Sequence, residues 1–309
     1  MNKPDETMPR KRSRRKTAVS LQIMALLGVL SLFLFSYLPM FGISIAFQNY
    51  TLSGGFFRSE WVGLRHFREF LSDPVFIMAT RNTLIFSFLR LVIVFPAPII
   101  MALIINEIPY ARFKGAVQTI SYFPHFIAYV VVAGLWLNIF DLRGLINNVM
   151  MNWGLITQRI DFWNSTLYYR SLIMAVDLWR GVGWGTIIYI AAISGVNPEL
   201  YEAANVDGAG KLRQIWSITI PSILGTIIVM LILQIGGIVR GNLDQSVLFG
   251  NIFNRPVSYI IEHYVLDLGF GTMRFSFATA VSLVQGVLSL FLVIGCNWLS
   301  KRVSGKSII

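Results

Sequence analysis

Charge is scarce in this chain. Of 309 residues, 13% are charged and 55% are hydrophobic, whereas a soluble globular chain carries about a quarter charged residues. The deficit excludes an ordinary soluble domain. Cysteine is down to one, Cys296, which excludes an intrachain disulfide; it lies in the last apolar run and reads as a small packed residue. Strand-length alternation is missing, which excludes an outer-membrane barrel. The three histidines, His66, His125 and His263, fit no metal-ligand spacing. His125 follows Pro124 inside an apolar run and reads as a packing or hydrogen-bonding group. A phosphate loop requires G-x-x-x-x-G-K-[S/T]. "GAGKL" at 208–212 lacks the hydroxyl residue and the upstream glycine, and "SGKS" at 304–307 has Ser300 where that glycine belongs. No nucleophile–base constellation is visible either, so the chain reads as neither an ATPase nor a membrane enzyme.

Long apolar runs are what is there. Six of them, roughly 20–47, 78–105, 116–140, 168–194, 218–240 and 275–300, have the ~20-residue length of a helical membrane span. They predict an all-α polytopic membrane protein with six transmembrane helices. A basic tail at 1–19 precedes the six-helix membrane domain at 20–300, and a second tail at 301–309 follows it. The first run is longer than a secretory h-region and no small-x-small cleavage site follows it, so it reads as a retained helix. Lys and Arg near helix ends set orientation. "RKRSRRK" at 10–16, Arg112 and Lys114, Lys211 and Arg213, and Lys301, Arg302 and Lys306 fall on one side of a six-span chain. That side is read as the cytoplasm, with both termini there. The outer loops carry Arg58, Arg65, Arg68, Arg143, Arg159 and Arg255, so the bias rests mainly on the N-terminus. A net charge of +11 needs no nucleic acid; a basic tail beside a first helix is explained by topology and anionic membrane lipid.

Between the fourth and fifth runs stands a polar loop, 195–217, that contains "EAANVDGAGKL". Asn197 suits an N-cap and Pro198 the first helical position. A short helix is predicted from Pro198 to about Val206, stopped by Asp207-Gly208 with the glycine in the left-handed position. Leu200, Ala203 and Ala204 give it a small, smooth face with Tyr201 and Glu202 beside it, suited to a groove on a cytoplasmic partner. An ordinary surface helix joining two spans reads the same way. A second short helix follows with Leu212, Ile215 and Trp216 at helical spacing.

Ionisable groups inside spans are costly and face a cavity or a partner. Arg90, Asp177, Arg180 and Arg240 lie in or at the edge of runs. Asp177 and Arg180 are three apart on one helix face and can pair. Alternatively they belong to a polar translocation site. Arg180 is about 18 Å along its helix from the outer end, near the bilayer midplane where transporter sites lie. Trp184 is one turn away, where a sugar ring can stack. Arg240 either faces the path or meets lipid phosphate at the outer interface. "GVGWG" at 181–185 reads as close helix packing or a kink.

The spacing Glu202-Ala203-Ala204, three residues, Gly208, nine residues, Ile218-x-Ile220-Pro221 resembles the EAA signature of ATP-binding-cassette importer permeases; Ile220 replaces the usual Leu. "YLPMFGISIAFQNY" at 37–50, "WVGLRHFREFL" at 61–71, "FPAPIIMALIINEI" at 95–108, "QTISYFPHF" at 118–126 and "GWGTIIYIAAISGVNPELYEAANVDGAG" at 183–210 resemble the branch that carries oligosaccharides and polysaccharide fragments. The likeness covers about 20–300 and implies the type I importer permease fold. It implies that the EAA loop is a coupling helix, with Leu200, Tyr201, Glu202, Ala203, Ala204, Asp207 and Gly208 docking on an ATPase. It implies a second, different permease chain, two ATP-binding cassette subunits that hold ATP and Mg, and an extracellular solute-binding protein, with no cofactor on this chain. It also implies a substrate path at Arg180, Gly181 and Trp184 on one helix, to which the charge pattern adds Asp177, and at Gly237, Arg240, Gly241 and Asn242 on the next. Arg180 and Arg240 project from those two helices while Asp177 can neutralise only one of them, and the surplus cation would favour an acidic, uronate-bearing oligosaccharide. An importer of amino acids, peptides or phosphate, and an ion-coupled secondary transporter, are the alternatives.

Overall fold

The computed structural model describes residues 11–304. The terminal calls at 1–10 and 305–309 lie outside the described residues, and residues 11–19 of the expected tail already belong to the helix Lys11–Leu32. Helices dominate. Sheet structure among the described residues is one antiparallel ladder, Gln48–Trp61 and Asn49–Glu60, a small departure from the all-α expectation.

Among the described residues, four helices are long and apolar enough to cross a membrane: Leu21–Phe47, Pro74–Asn106, Lys211–Gly236 and Phe275–Arg302. A fifth crossing is counted if Ala111–Phe126 and Tyr129–Ile139, bent by 100°, form one broken span. The fourth expected span is present as a continuous helix, Tyr169–Ser194, of 26 residues, but Arg170, Asp177 and Arg180 make it too polar to be counted by composition.

Local chemistry explains the breaks. The second helix starts at Asp73, whose Oδ1 accepts from the Val75 amide at 2.8 Å, with Pro74 at the first helical position. A π turn at Arg90–Val94 carries it into the Pro96–Asn106 segment, so the missing amides of Pro96 and Pro98 fall after a widened turn. In the third, Pro124 sits in a 3-10 turn at Phe123–Phe126, and Ile127 and Ala128 leave the helical region before Tyr129 restarts it. The fifth helix stops at Gly236. Gly241, at φ +80°, turns the chain where a side chain would be strained.

The fourth helix is the spine. Its first half packs Tyr169, Ile173 and Val176 with Phe86 and Val132. Its last turns pack Tyr189 and Ile193 with Ala102 of the second helix and Ile223 of the fifth. A third cluster ties Ala46, Phe70 and Ala79 to Tyr264 and Phe277 at the start of the sixth. Gly183 and Gly185 settle "GVGWG" as close packing. A Cβ on Gly183 would lie 1.9 Å from the Ser121 carbonyl oxygen, and one on Gly185 would lie 2.9 Å from the Pro98 ring. Gly181 faces open space.

Candidate translocation site and coupling loop

Between the two clusters on the fourth helix lies a recess of about 440 Å3, to which Arg90, His125, Asp177, Arg180, Trp184 and Gln234 contribute. Gly181 and Asn242 also face it. Gly237, Gly241 and Asn242 line an adjoining hollow of about 260 Å3 that shares Arg90 and Gln234 with it. Of the eight path residues expected from sequence, the structure therefore gathers seven.

Arg240 is the exception. The helix ends at Gly236, so Gly237 to Asn242 form a turn and do not project from a helix as expected. That turn sends Arg240 to a separate recess of about 770 Å3, beside Glu262, Tyr50 and Gln285. Burial pushes the Glu262 carboxyl above its ordinary range, and the Arg240 charge pulls it partly back. The larger recess is walled mainly by apolar residues of the first and sixth helices and of the segments that follow the first helix and precede the sixth. The smaller one holds the polar chemistry.

The possible Asp177–Arg180 pair is not formed. Asp177 turns instead to the second helix, where Arg90 Nε meets its Oδ2 at 2.9 Å. Gln245 closes the arrangement: its amide nitrogen donates to Asp177 Oδ1, and its amide oxygen accepts from Arg90 Nη2. The Arg90 and Asp177 side chains are only 15% and 14% exposed. Removing one partner of such a pair strands a buried charge at about 3–5 kcal/mol. Both carboxylate oxygens are thus taken before Arg180 competes for them.

Arg180 is left without a carboxylate among the described residues. Its Nη2 donates to the His125 carbonyl oxygen at 3.3 Å, and its guanidinium carbon stands 4.9 Å from the centre of the Tyr129 ring. The His125 ring stacks on Trp184 at 4.6 Å between centres with 3° between planes, and Phe126 meets Trp184 edge-on. The packing role expected for His125 is therefore seen, but at the recess wall. Trp184 stays 44% exposed. Arg180 Nε, His125 Nδ1 and Tyr129 Oη are buried without a hydrogen-bond partner. In sum, the recess offers one unpaired cation, an accessible indole and several unsatisfied polar atoms.

The loop helix runs Pro198–Val206, as the sequence predicts. Asn197 caps it by accepting from the Glu199 amide at 3.1 Å, and Gly208 leaves it at φ +73°. Leu200, Glu202, Ala203, Asp207 and Gly208 are exposed, whereas Tyr201 and Ala204 are half-buried. The Tyr201 hydroxyl reaches Thr219. Gln214, almost fully buried, donates to Asn205 Oδ1 at 2.6 Å and to the Ala209 carbonyl at 2.9 Å. Lys211 pairs with Glu107 at the end of the second helix at 3.2 Å. The second short helix is the first turn of Lys211–Gly236, with Leu212 and Trp216 exposed.

The chain matches known proteins over most of its length. The family described as "Binding-protein-dependent transport system inner membrane component" matches residues 94–305. Protein LplB of Bacillus subtilis is 39% identical over 91% of this chain and 88% of its own. The polygalacturonan/rhamnogalacturonan transport system permease protein YteP of Bacillus subtilis is 42% identical over 93% of this chain and 89% of its own. A solved bacterial ABC transporter involved in the import of the acidic polysaccharide alginate has a chain 34% identical, with a TM-score of 0.87 over 96% of this chain and 100% of that one. The bacterial alginate ABC transporter has also been solved in complex with its alginate pentasaccharide-bound periplasmic protein, and a chain there is 33% identical with a TM-score of 0.87 over 97% of this chain.

Proposed function

Because the chain belongs to the inner-membrane components of binding-protein-dependent transport systems, as a permease of the carbohydrate branch of ABC importers, we propose that it forms half of the path for acidic, uronate-bearing oligosaccharides. The observation that carries the reading is Arg180. It lines the central recess beside an exposed indole, and Asp177, its nearest candidate partner in sequence, is held by Arg90 and Gln245. An uncompensated cation in a membrane interior calls for an anion. A cargo carboxylate meets that need, since a guanidinium binds it in a bidentate fork. Trp184 takes a sugar ring, and the unpartnered atoms of Arg180, His125 and Tyr129 take hydroxyls once the side chains turn toward the cargo. The cargoes named for two relatives, polygalacturonan/rhamnogalacturonan and acidic alginate, support the same choice.

The rest of the assembly follows from the loop helix. Its exposed Glu202, Ala203 and Leu200 dock in a cleft of one of two ATP-binding cassette subunits, which hold ATP and Mg. A second, different permease completes the path, and an extracellular binding protein delivers the sugar. The chain crosses a bacterial plasma membrane six times, the polar fourth helix and the bent third included, with both termini in the cytoplasm.

The test is uptake by the complete importer in liposomes, with Arg180→Gln compared with wild type. An acidic oligosaccharide and a neutral one of equal length are the cargoes. The acidic-to-neutral uptake ratio should fall about tenfold, the worth of one charge-assisted hydrogen bond. An equal loss for both cargoes overturns the acidic reading.

A further inference from the structure

We propose that Arg90 is a specificity-determining residue of this path: it masks Asp177, and the masking is what lets an anionic sugar pass. The inference rests on the acidic-cargo reading above.

Asp177 and Arg180 sit three residues apart on the fourth helix, so their side chains occupy neighbouring positions on one face. Both line the same recess. A cargo carboxylate seated on Arg180 therefore comes within about one helical turn of Asp177. A bare Asp177 would defeat the site twice over. It would claim the Arg180 guanidinium for itself, and it would repel the incoming anion. Two like charges about 6 Å apart, at an effective dielectric of about 20, weaken binding by roughly a hundredfold.

The structure removes both problems at once. Arg90 supplies the counter-charge from the second helix. Gln245, in the short helix Leu243–Leu248 after the fifth long helix, bonds to Arg90 and Asp177 together and closes a three-membered ring. Gln245 itself is almost fully buried, and its amide nitrogen accepts nothing, so its side-chain oxygen must face Arg90 and its NH2 must face Asp177. The ring fixes which way each partner points. Its net charge is zero, and Arg180 is left as the unmatched charge at the wall. An inert tie between the second and fourth helices needs any hydrogen-bonded pair. A tie that leaves the adjacent cation free needs the carboxylate neutralised.

The experiment uses the complete importer in liposomes and reads KM and maximal uptake for the acidic and the neutral oligosaccharide. The variants are Arg90→Gln, Arg90→Lys, Asp177→Asn and the double variant Arg90→Gln/Asp177→Asn, with Arg180→Gln alongside. Masking predicts that Arg90→Gln lowers the acidic-to-neutral ratio by about tenfold or more, chiefly through KM. Arg90→Lys keeps the charge and recovers most of the ratio. The double variant recovers it too, because the offending anion is gone. An inert tie predicts an acidic-to-neutral ratio that stays at the wild-type value in Arg90→Gln and in the double variant alike, with uptake of both cargoes falling and recovering together. That result, or an equal loss of both cargoes in Arg90→Gln, overturns the proposal. Should Arg90→Gln fail to reach the membrane, Asp177→Asn decides. Its acidic-to-neutral ratio must equal or exceed that of wild type, and a fall overturns the proposal. If Arg180→Gln leaves the ratio unchanged, the acidic-cargo reading falls and masking falls with it. If Arg180→Gln shifts the ratio and Arg90→Gln does not, masking alone is wrong.

Discussion

The Tyr201 hydroxyl lies 2.9 Å from Thr219 Oγ1. Tyr201 sits in the loop helix and Thr219 in the first turns of the fifth long helix, so this bond fastens the loop helix to a helix that lines the recess. Tyr201→Phe removes it and keeps the ring. The loss is about 1 kcal/mol, too little to unfold the chain. ATP hydrolysis by the assembled importer should persist, while sugar moved per ATP falls. Parallel measurement of uptake and phosphate release checks this. An unchanged ratio would mean that the Gln214 anchor and packing alone carry the motion.

Glu202, the next residue of the loop helix, is exposed. Glu202→Lys should leave the chain in the membrane at normal abundance. Copurification of the ATPase subunits should drop, and so should sugar-stimulated ATP hydrolysis. Normal stimulation in an intact complex would remove Glu202 from the docking face.

Topology gives a third expectation. Gly210 lies in the loop between the fourth and fifth helices. A cysteine introduced there, with Cys296→Ala as background, should resist an impermeant thiol reagent in intact cells and react after permeabilisation. Labelling from outside would invert the orientation.

Gly183 and Gly181 offer a packing test on one helix. The would-be neighbour of a Gly183 side chain is backbone at Ser121, which cannot swing aside, whereas Gly181 has open space. Gly183→Ala should lower the thermal stability of the detergent-purified chain by about 1–3 kcal/mol. Gly181→Ala, adding only a methyl group toward the recess, should melt close to wild type. Equal melting of the two would contradict the close approach of the third and fourth helices.

The loop helix was legible because its signals are local. Asn197, Pro198 and Gly208 each act on backbone within a few residues, and the helix bounds follow from them. The cluster at Asp177, Arg180 and Trp184 was legible for a similar reason, since helical spacing puts these residues on one face. Arg90 was visible as an intramembrane charge, but its partner is 87 residues away, and one sequence carries no signal for a contact between distant helices. The turn that diverts Arg240 had its clue in Gly236, Gly237 and Gly241, three glycines that an apolar-run count passes over. Pro124 marked the break in the third run in the same way, while hydropathy alone drew it as one straight span.

Arg180 rests on the carbonyl of His125, not on its imidazole. A main-chain acceptor survives any codon change at that position, whereas the ring stacked on Trp184 does not. The cation's pose and the shape of the aromatic wall are therefore separately heritable. If the recess is the sugar path proposed above, drift at position 125 can retune which sugar ring fits beside Trp184 while Arg180 keeps its bearing, so a lineage could change its diet one residue at a time without first losing its hold on the acid group.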